Sequence, residues 1–180
     1  MPQLKHFSDQ LSKISDFYTT DGNVEWLSKT THVILNPRMP TETKEQILHT
    51  LNKNCFRGNG KDHCLPEESV VLQTSGSTTP ITPLGKSAQT KLVVLSKSAF
   101  LASAATVNKH FSISAEDRWL QVLPRFHVGG LAIYARAFLS KSPVVESSLI
   151  ENKWDVHTFL RELTQAKATL VSLVPTQIFD

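Results

Sequence analysis

Five small residues, Thr74, Ser75, Gly76, Ser77 and Thr78, could together bind phosphate groups. Their hydroxyl groups, with the unobstructed backbone N–H groups around the flexible glycine, would form a concavity suited to phosphate oxygens. The apolar run 70–72 comes just before them, so they lie at the carboxyl end of an expected strand. In an open α/β sheet that edge is where ligands bind. A Ser/Thr-rich surface turn is the alternative interpretation of the same residues.

The segment Gly85, Lys86, Ser87 suggests a different phosphate site, the G-x-x-x-x-G-K-[ST] loop of nucleoside triphosphatases. That loop needs a glycine five positions before Gly85, where this chain has Pro80, which has no N–H to donate. A helix should follow the loop and complete the anion site with its N-terminus. The apolar run that starts at Lys91 instead has the pattern of a strand, which argues against a nucleoside triphosphatase.

The spacing of apolar residues predicts alternating strands and helices along most of the chain. We expect strands at 33–35, 70–72, 92–95, 119–123, 144–145 and 169–174. We expect helices at 4–18, 41–52, 97–111, 129–140 and 155–166, a loop at 54–66, and the start of a helix at 176–180. Short apolar strands separated by helices indicate βαβ units. The predicted fold class is therefore α/β, with a mostly parallel sheet flanked by helices.

Composition excludes several classes of function. The 180 residues are 40% hydrophobic and 19% charged with a net charge of +3, which is typical of a globular domain. Basic residues are scattered, so we expect no nucleic-acid partner. No apolar run reaches the length of a membrane span, and the N-terminus has no apolar core of a secretory signal. Cys55 and Cys64 match no zinc pattern and are expected to be free thiols, which predicts a cytoplasmic protein.

Three segments, in order along the chain, resemble the motifs of one enzyme family. The first is 74–78, followed by Lys91, a short strand and Ser96. The second is 117–131, a strand that ends in Pro124 and leads through His127 to a glycine pair and a helix. The third is the strand end 171–177. From 67 to 180 the chain thus resembles the adenylate-forming enzymes (acyl-CoA synthetases, luciferase-like ligases and peptide-synthetase adenylation domains). Segments 119–138 and 172–177 are most similar to the o-succinylbenzoate–CoA ligases of menaquinone biosynthesis.

The chain departs from that family's pattern at three places. Thr79 stands where the family has glycine, and the extra segment 80–90 separates Thr78 from Lys91. Lys86 is consequently an alternative to Lys91 as the lysine of the phosphate-binding motif. Lys97 replaces the histidine that the family commonly has.

The resemblance implies a fold and an extent. The chain would be the first half of the large N-terminal domain of an adenylate-forming enzyme, a single incomplete domain with a lead-in at 1–66. The motifs for Mg²⁺, for the ribose hydroxyls and for a catalytic lysine would lie beyond Asp180, so no metal ligand is assigned within the chain. We expect no ligase activity from these 180 residues alone, and homo-oligomerisation remains open.

The resemblance also implies roles for named residues. Residues 74–78 would hold the phosphates of ATP, and Lys91 would place a positive charge on the leaving pyrophosphate. His127 would lie against the acyl group on the route of the CoA thiol, with Gly129 and Gly130 beside the acyl pocket. From its chemistry, Arg125 suits a substrate carboxylate. The alternatives are a solvated surface lysine at 91 and a packed, non-catalytic histidine at 127.

The expected reaction is formation of an acyl-CoA thioester from a small-molecule carboxylate, with ATP, Mg²⁺ and CoA as cofactors and cosubstrates. Catalysis would come from positioning and charge neutralisation, without a covalent enzyme intermediate. Alternatives are another acyl-CoA ligase, an amino-acid-adenylating domain, or a nucleotide-binding remnant without a reaction of its own.

Overall fold

A computed structural model describes residues 25–29, 31–56, 68–74 and 91–179 of the protein. These residues form two compact units. One contains the described residues from Leu27 to Lys97, and the other contains the residues from Ser98 onward together with Glu25 and Trp26. The predicted helix at 4–18 and most of the predicted loop at 54–66 lie outside the described residues.

The first unit contains three strands and one helix. Strand β1 is His32–Ile34, helix α1 is Thr41–Phe56, β2 is Ser69–Thr74 and β3 is Lys91–Ser96. The sheet order is β1-β2-β3. The loop predicted from 54 is wrong at its start, because α1 continues to Phe56. Leu48, Leu51 and Cys55 explain this, since they continue the spacing of three and four residues that favours a helix.

The two strand pairs of the first unit differ in direction. Strand β1 pairs with β2 in parallel, with His32 opposite Val70. Strand β2 pairs with β3 antiparallel over its whole length. The prediction of parallel βαβ pairing thus does not extend to β2 and β3, because no crossover helix was expected between them and antiparallel neighbours need none.

Buried side chains of the middle strand form the core of the first unit. Val70, Val71 and Leu72 of β2 are buried with Ile34 of β1. On α1, Ile47 and Leu48 are also buried. The continuous apolar run of β2 therefore reflects a strand covered on both faces.

The second unit contains most of the remaining elements. Helix α2 is Lys97–Phe111, β4 is Trp119–Gln121, α3 is Val128–Ser140 and β5 is Val144–Glu146. A 3₁₀ helix, Ser148–Ile150, leads to α4, Val156–Ala166, then β6, Leu170–Val171, and α5, Thr176–Phe179. The sheet order is β5-β4-β6 and both pairs are parallel, as predicted. Strands β4 and β6 are shorter than predicted.

The central strand β4 has apolar contacts on both faces. Trp119 packs with Ile133 and Ala137 of α3. Leu120, the next residue, packs with Phe159 of α4 and with Leu149. Because successive strand residues point to opposite faces, helices α3 and α4 cover the two sides of the sheet. This is the α/β layering that the sequence predicts. Among the described residues, no helix is long and apolar enough to cross a membrane.

Candidate functional site

The predicted phosphate segment starts at the end of the buried strand β2. Thr74 is the last residue of β2 and lies directly opposite Lys91, the first residue of β3. Ser75, Gly76, Ser77 and Thr78 lie outside the described residues, as does the rival lysine Lys86. The structure thus brings together the first hydroxyl residue of the motif and Lys91 at the base of one antiparallel pair.

Six consecutive residue pairs hold these two strands in register, from Ser69 opposite Ser96 to Thr74 opposite Lys91. Val70 and Val71, in the middle of β2, have no exposed surface. A strand that is paired and buried in this way fixes the backbone of Thr74 and Lys91. The nucleoside-triphosphatase interpretation requires a helix after the loop, whereas the chain forms strand β3 from Lys91.

A buried lysine lies at the other end of the same strand pair. Lys97 is 1% exposed, and its Nζ donates to the carbonyl oxygen of Ser28 at 3.0 Å and to its hydroxyl at 2.8 Å. The Lys97 backbone N–H donates to the carbonyl of Glu68 at 2.7 Å. His32 lies near this cation, and burial first and then the charge of Lys97 lower its pKa from 6.5 to about 4. His32 is therefore neutral at physiological pH.

In the second unit, a tight turn connects the end of β4 to α3 and carries the other predicted site residues. The His127 N–H donates to the carbonyl of Pro124 at 3.1 Å, which closes the 124–127 turn. Buried Gln121 donates from Nε2 to the carbonyl of Leu123 and, at 3.4 Å, to that of Gly130. The structure brings Arg125, His127, Gly129 and Gly130 together in this segment.

The two glycines at the start of α3 have different surroundings. A Cβ atom on Gly130 would collide with the carbonyl groups of Pro124 and Leu123, coming within 2.8 Å of the Leu123 oxygen. A Cβ atom on Gly129 would meet only the Leu123 Cδ1 atom, at 3.4 Å. Gly130 is buried and Gly129 is exposed. Close approach of helix and turn therefore requires glycine at 130 but not at 129.

His127 is the half-buried N-cap residue of α3. Its backbone is extended, with φ −105° and ψ 147°, and its side chain makes no capping hydrogen bond. The imidazole ring packs against Phe126, with ring centroids 4.5 Å apart. Burial lowers the pKa of His127 below its ordinary value of 6.5. At neutral pH the ring is consequently uncharged and can accept or donate a proton in a hydrogen bond.

Arg125 is bound to a carboxylate of the protein itself. Its guanidinium forms an ion pair with Glu146, the last residue of β5, and lies over the Tyr134 ring at 4.7 Å from the centroid. The Tyr134 hydroxyl donates to the same Glu146 oxygen at 2.5 Å. The positive charge of Arg125 is thus balanced within the structure.

Arg136 is a cation that the sequence analysis did not single out. Its guanidinium lies 5.9 Å from the Trp119 ring centroid, and Nη1 donates to the Ser172 hydroxyl at 3.3 Å. Its Nε is buried without a hydrogen-bond partner, and burial lowers its pKa. No acidic side chain among the described residues forms an ion pair with it. Arg136 is the one charged residue in the helix sequence from Val128 to Ser140, and that signal could have identified it.

The unpaired Arg136 Nε belongs to a small polar cluster inside the second unit. Trp119 Nε1 and Asn108 Oδ1 are also buried without a hydrogen-bond partner, and Asn108 Nδ2 donates to the Arg136 carbonyl at 2.9 Å. Arg136 Nε and Trp119 Nε1 are thus two buried donors that the described residues leave unsatisfied, whereas buried donors are normally satisfied.

Comparison with curated proteins finds ligases that form CoA thioesters. The chain is 30% identical to the 2-succinylbenzoate–CoA ligase of Enterococcus faecalis over 108 residues, which are 60% of this chain and 20% of that protein. It is 33% identical to the indoleacetate–CoA ligase of Aromatoleum aromaticum over 105 residues, 55% of this chain and 20% of that protein. The chain thus spans about a fifth of the length of these relatives. No family model matches the sequence.

Solved structures agree with these relatives. The o-succinylbenzoate–CoA synthetase of Bacillus subtilis in complex with ATP and magnesium ion aligns with a TM-score of 0.55 at 17% identity, over 83% of this chain and 45% of that one. The same enzyme with its acyl-adenylate intermediate aligns with a TM-score of 0.52 at 18% identity, over 93% and 40%. The resemblance to succinylbenzoate–CoA ligases is confirmed. At these identities the solved structures show a shared α/β fold, and the chain matches less than half of it.

Proposed function

We propose that the chain supplies the ATP-phosphate and acyl-binding portion of an AMP-forming acid–CoA ligase, with o-succinylbenzoate as the acid, in menaquinone biosynthesis. The observation that carries the proposal is the pairing of Thr74 with Lys91, because it places the first residue of the segment 74–78 opposite the proposed motif lysine on one strand pair. The 30% identical 2-succinylbenzoate–CoA ligase supports the choice of acid.

In the first step, a carboxylate oxygen of the acid would attack the α-phosphorus of ATP, and pyrophosphate would leave. Thr74, Ser75, Gly76, Ser77 and Thr78 would donate hydrogen bonds to the β- and γ-phosphates. Lys91 would neutralise charge on the leaving pyrophosphate, which is where negative charge accumulates. Mg²⁺, when bound, would neutralise part of the negative charge of the phosphates. The described residues contain no group of three or more His, Cys, Asp or Glu side chains that could hold this ion.

In the second step, the CoA thiol would attack the acyl carbonyl, and AMP would leave. His127, uncharged and half-buried at the start of α3, would lie against the acyl group on the route of the thiol. Gly130 allows the turn and helix to approach closely, so that the His127 backbone stays fixed. Gly129, which is exposed beside it, leaves room for the acyl group.

Two arginines could contact a second carboxylate of the acid, and their surroundings differ. Arg125 is paired with Glu146, so it would bind a substrate carboxylate only by exchanging one carboxylate for another. Arg136 has a buried Nε without a partner and no acidic neighbour in the described part of the chain. An incoming carboxylate would not have to displace a carboxylate of the protein at Arg136. We therefore favour Arg136 over Arg125 for this contact.

Indoleacetate is a second candidate for the acid, because the indoleacetate–CoA ligase matches the chain at 33% identity. An acid of that kind has only the carboxylate that is activated, so that no further negative charge remains for Arg136. The two functions therefore differ in their need for this arginine.

The phosphate part of the proposal can be tested on the full-length protein by calorimetric titration with ATP. Lys91→Ala should weaken ATP binding about tenfold or more, because a charge-assisted phosphate contact is lost. The matched variant Lys86→Ala removes the same charge from the other lysine of the segment and should leave binding unchanged. If Lys86→Ala weakens binding and Lys91→Ala does not, the motif lysine is Lys86. If neither variant changes the affinity, the phosphate site lies elsewhere.

The choice of acid can be tested on the full-length protein by pyrophosphate release in the presence of ATP and a panel of carboxylates. o-Succinylbenzoate should stimulate release more than indoleacetate or an amino acid does. ATP binding without stimulation by any acid would support a nucleotide-binding protein without ligase activity.

A further inference from the structure

Side chains from three elements meet beside the 124–127 turn. Arg125 comes from the turn, Tyr134 from α3 and Glu146 from the end of β5. One Glu146 oxygen takes part in the ion pair with Arg125 and accepts the Tyr134 hydroxyl hydrogen bond at 2.5 Å. The guanidinium lies over the tyrosine ring at 4.7 Å. Arg125 is thus held by charge on one side and by an aromatic face on the other.

His127 lies in the same turn, and its side chain makes no capping hydrogen bond to α3. N-cap side chains usually fix this position by accepting a hydrogen bond from the first turn of the helix, and the His127 side chain does not. The Pro124 carbonyl accepts a hydrogen bond from the His127 N–H at 3.1 Å. Gln121 donates to the Gly130 carbonyl, and Gly130 lets the start of α3 lie close to the turn. Arg125 connects the outer side of the turn to β5 through Glu146.

We propose that Glu146 is a positioning residue that acts through Arg125: it holds Arg125 over Tyr134 and thereby fixes the turn that presents His127. The contacts among Glu146, Arg125 and Tyr134 do not depend on the proposed ligase reaction. Only a catalytic use of His127 rests on that proposed function. Charge balance adds a second consequence, because Glu146 cancels the positive charge that Arg125 would otherwise place two residues from His127.

A double-mutant cycle on the chain tests this coupling, with amide hydrogen exchange at His127 measured by NMR. Glu146→Gln and Arg125→Met should each accelerate exchange about threefold, which is what a partly exposed ion pair is worth. The double variant should exchange no faster than either single variant, because both remove the same contact. The matched control Glu116→Gln removes one exposed negative charge and should leave the rate unchanged.

A second variant and a second readout guard against a general loss of structure. Tyr134→Phe keeps the aromatic face and removes only the hydroxyl, so exchange at His127 should accelerate less than in Glu146→Gln. The imidazole titration of His127 should move to a lower pKa in Glu146→Gln, where the Arg125 charge is unbalanced, and to a higher pKa in Arg125→Met. A purely structural role of Glu146 would not produce opposite shifts.

The proposal is overturned if Glu146→Gln leaves exchange at His127 unchanged, if the two single effects add in the double variant, or if both shifts have the same sign. ATP titration of the same variants in the full-length protein separates this result from the ligase proposal. A coupled cycle in a full-length protein that binds no ATP supports the positioning role and contradicts the ligase. The reverse result contradicts only the positioning role.

Discussion

The Nζ atom of the buried Lys97 lies 2.8 Å from the Ser28 hydroxyl oxygen and 3.0 Å from the Ser28 carbonyl oxygen. A lysine side chain is rarely 1% exposed, because burying its charge is costly unless polar partners replace water. The side chain of Lys97 thus contacts the segment that precedes β1.

Lys97→Met should lower the free energy of unfolding by about 1–3 kcal/mol, because the Ser28 carbonyl and hydroxyl lose a charged donor inside the protein. Lys109→Met is the matched control, since Lys109 is an exposed lysine of the same helix. The control should change stability by less than about 0.5 kcal/mol. Urea denaturation of both variants measures the difference. Equal stabilities would contradict a structural role of the buried lysine.

His32 should make the protein sensitive to mild acid. Its folded-state pKa is about 4, below the ordinary value of 6.5, so the unfolded chain binds a proton more readily than the folded protein. The contribution of neutral His32 is complete above pH 6.5 and declines as the pH falls toward 4. The loss amounts to at most about 3 kcal/mol, since one pKa unit corresponds to 1.36 kcal/mol.

His32→Gln should flatten the dependence of stability on pH in this window, because glutamine does not titrate. His49→Gln, at an exposed position of α1, is the control and should retain the slope. Urea denaturation midpoints between pH 4 and 7 measure both. If the two variants keep the slope of the parent chain, the acid sensitivity arises from other groups.

The two glycines of α3 should respond in opposite directions to the same substitution. Gly130→Ala places a methyl group against the carbonyls of Pro124 and Leu123 and should destabilise the protein by about 2 kcal/mol or more. Gly129→Ala meets only a leucine methyl group at 3.4 Å and should be neutral or stabilise by up to about 1 kcal/mol, because alanine favours the helix. Thermal denaturation of the pair gives the comparison directly. A destabilised Gly129→Ala would contradict the distinction.

The α/β class and the parallel order of the second sheet were predictable, because apolar strands and helices of ordinary length alternate there. Helix α2 has the predicted bounds, 97–111, and α4 begins one residue after predicted, since Asp155 is its N-cap and accepts from the Thr158 N–H at 2.7 Å. Period and capping residues are local signals that a sequence displays.

The antiparallel direction of β3 and the partner of Arg125 were not predictable in the same way. Strand direction depends on whether the connection from β2 crosses over the sheet or returns directly, and an apolar run such as 92–95 has no sign of it. The Arg125–Glu146 pair joins residues that are far apart in sequence, so no spacing rule applies. Arg136 was visible as a lone charge in an apolar helix, but only the structure shows that its Nε has no hydrogen-bond partner.

Arg136 should contribute more to ligand binding than to stability. Arg136→Met removes a half-buried guanidinium whose Nε is unpaired, so that its removal should change the free energy of unfolding by less than about 1 kcal/mol. In the full-length protein the same change should abolish stimulation of pyrophosphate release by o-succinylbenzoate and leave that by a monocarboxylate such as indoleacetate unaffected. Arg125→Met is the matched control, because Arg125 already has a carboxylate partner and its loss should affect the two acids alike. A fall in stimulation by both acids in Arg136→Met, or a selective fall in Arg125→Met, would show that Arg136 does not bind the second carboxylate.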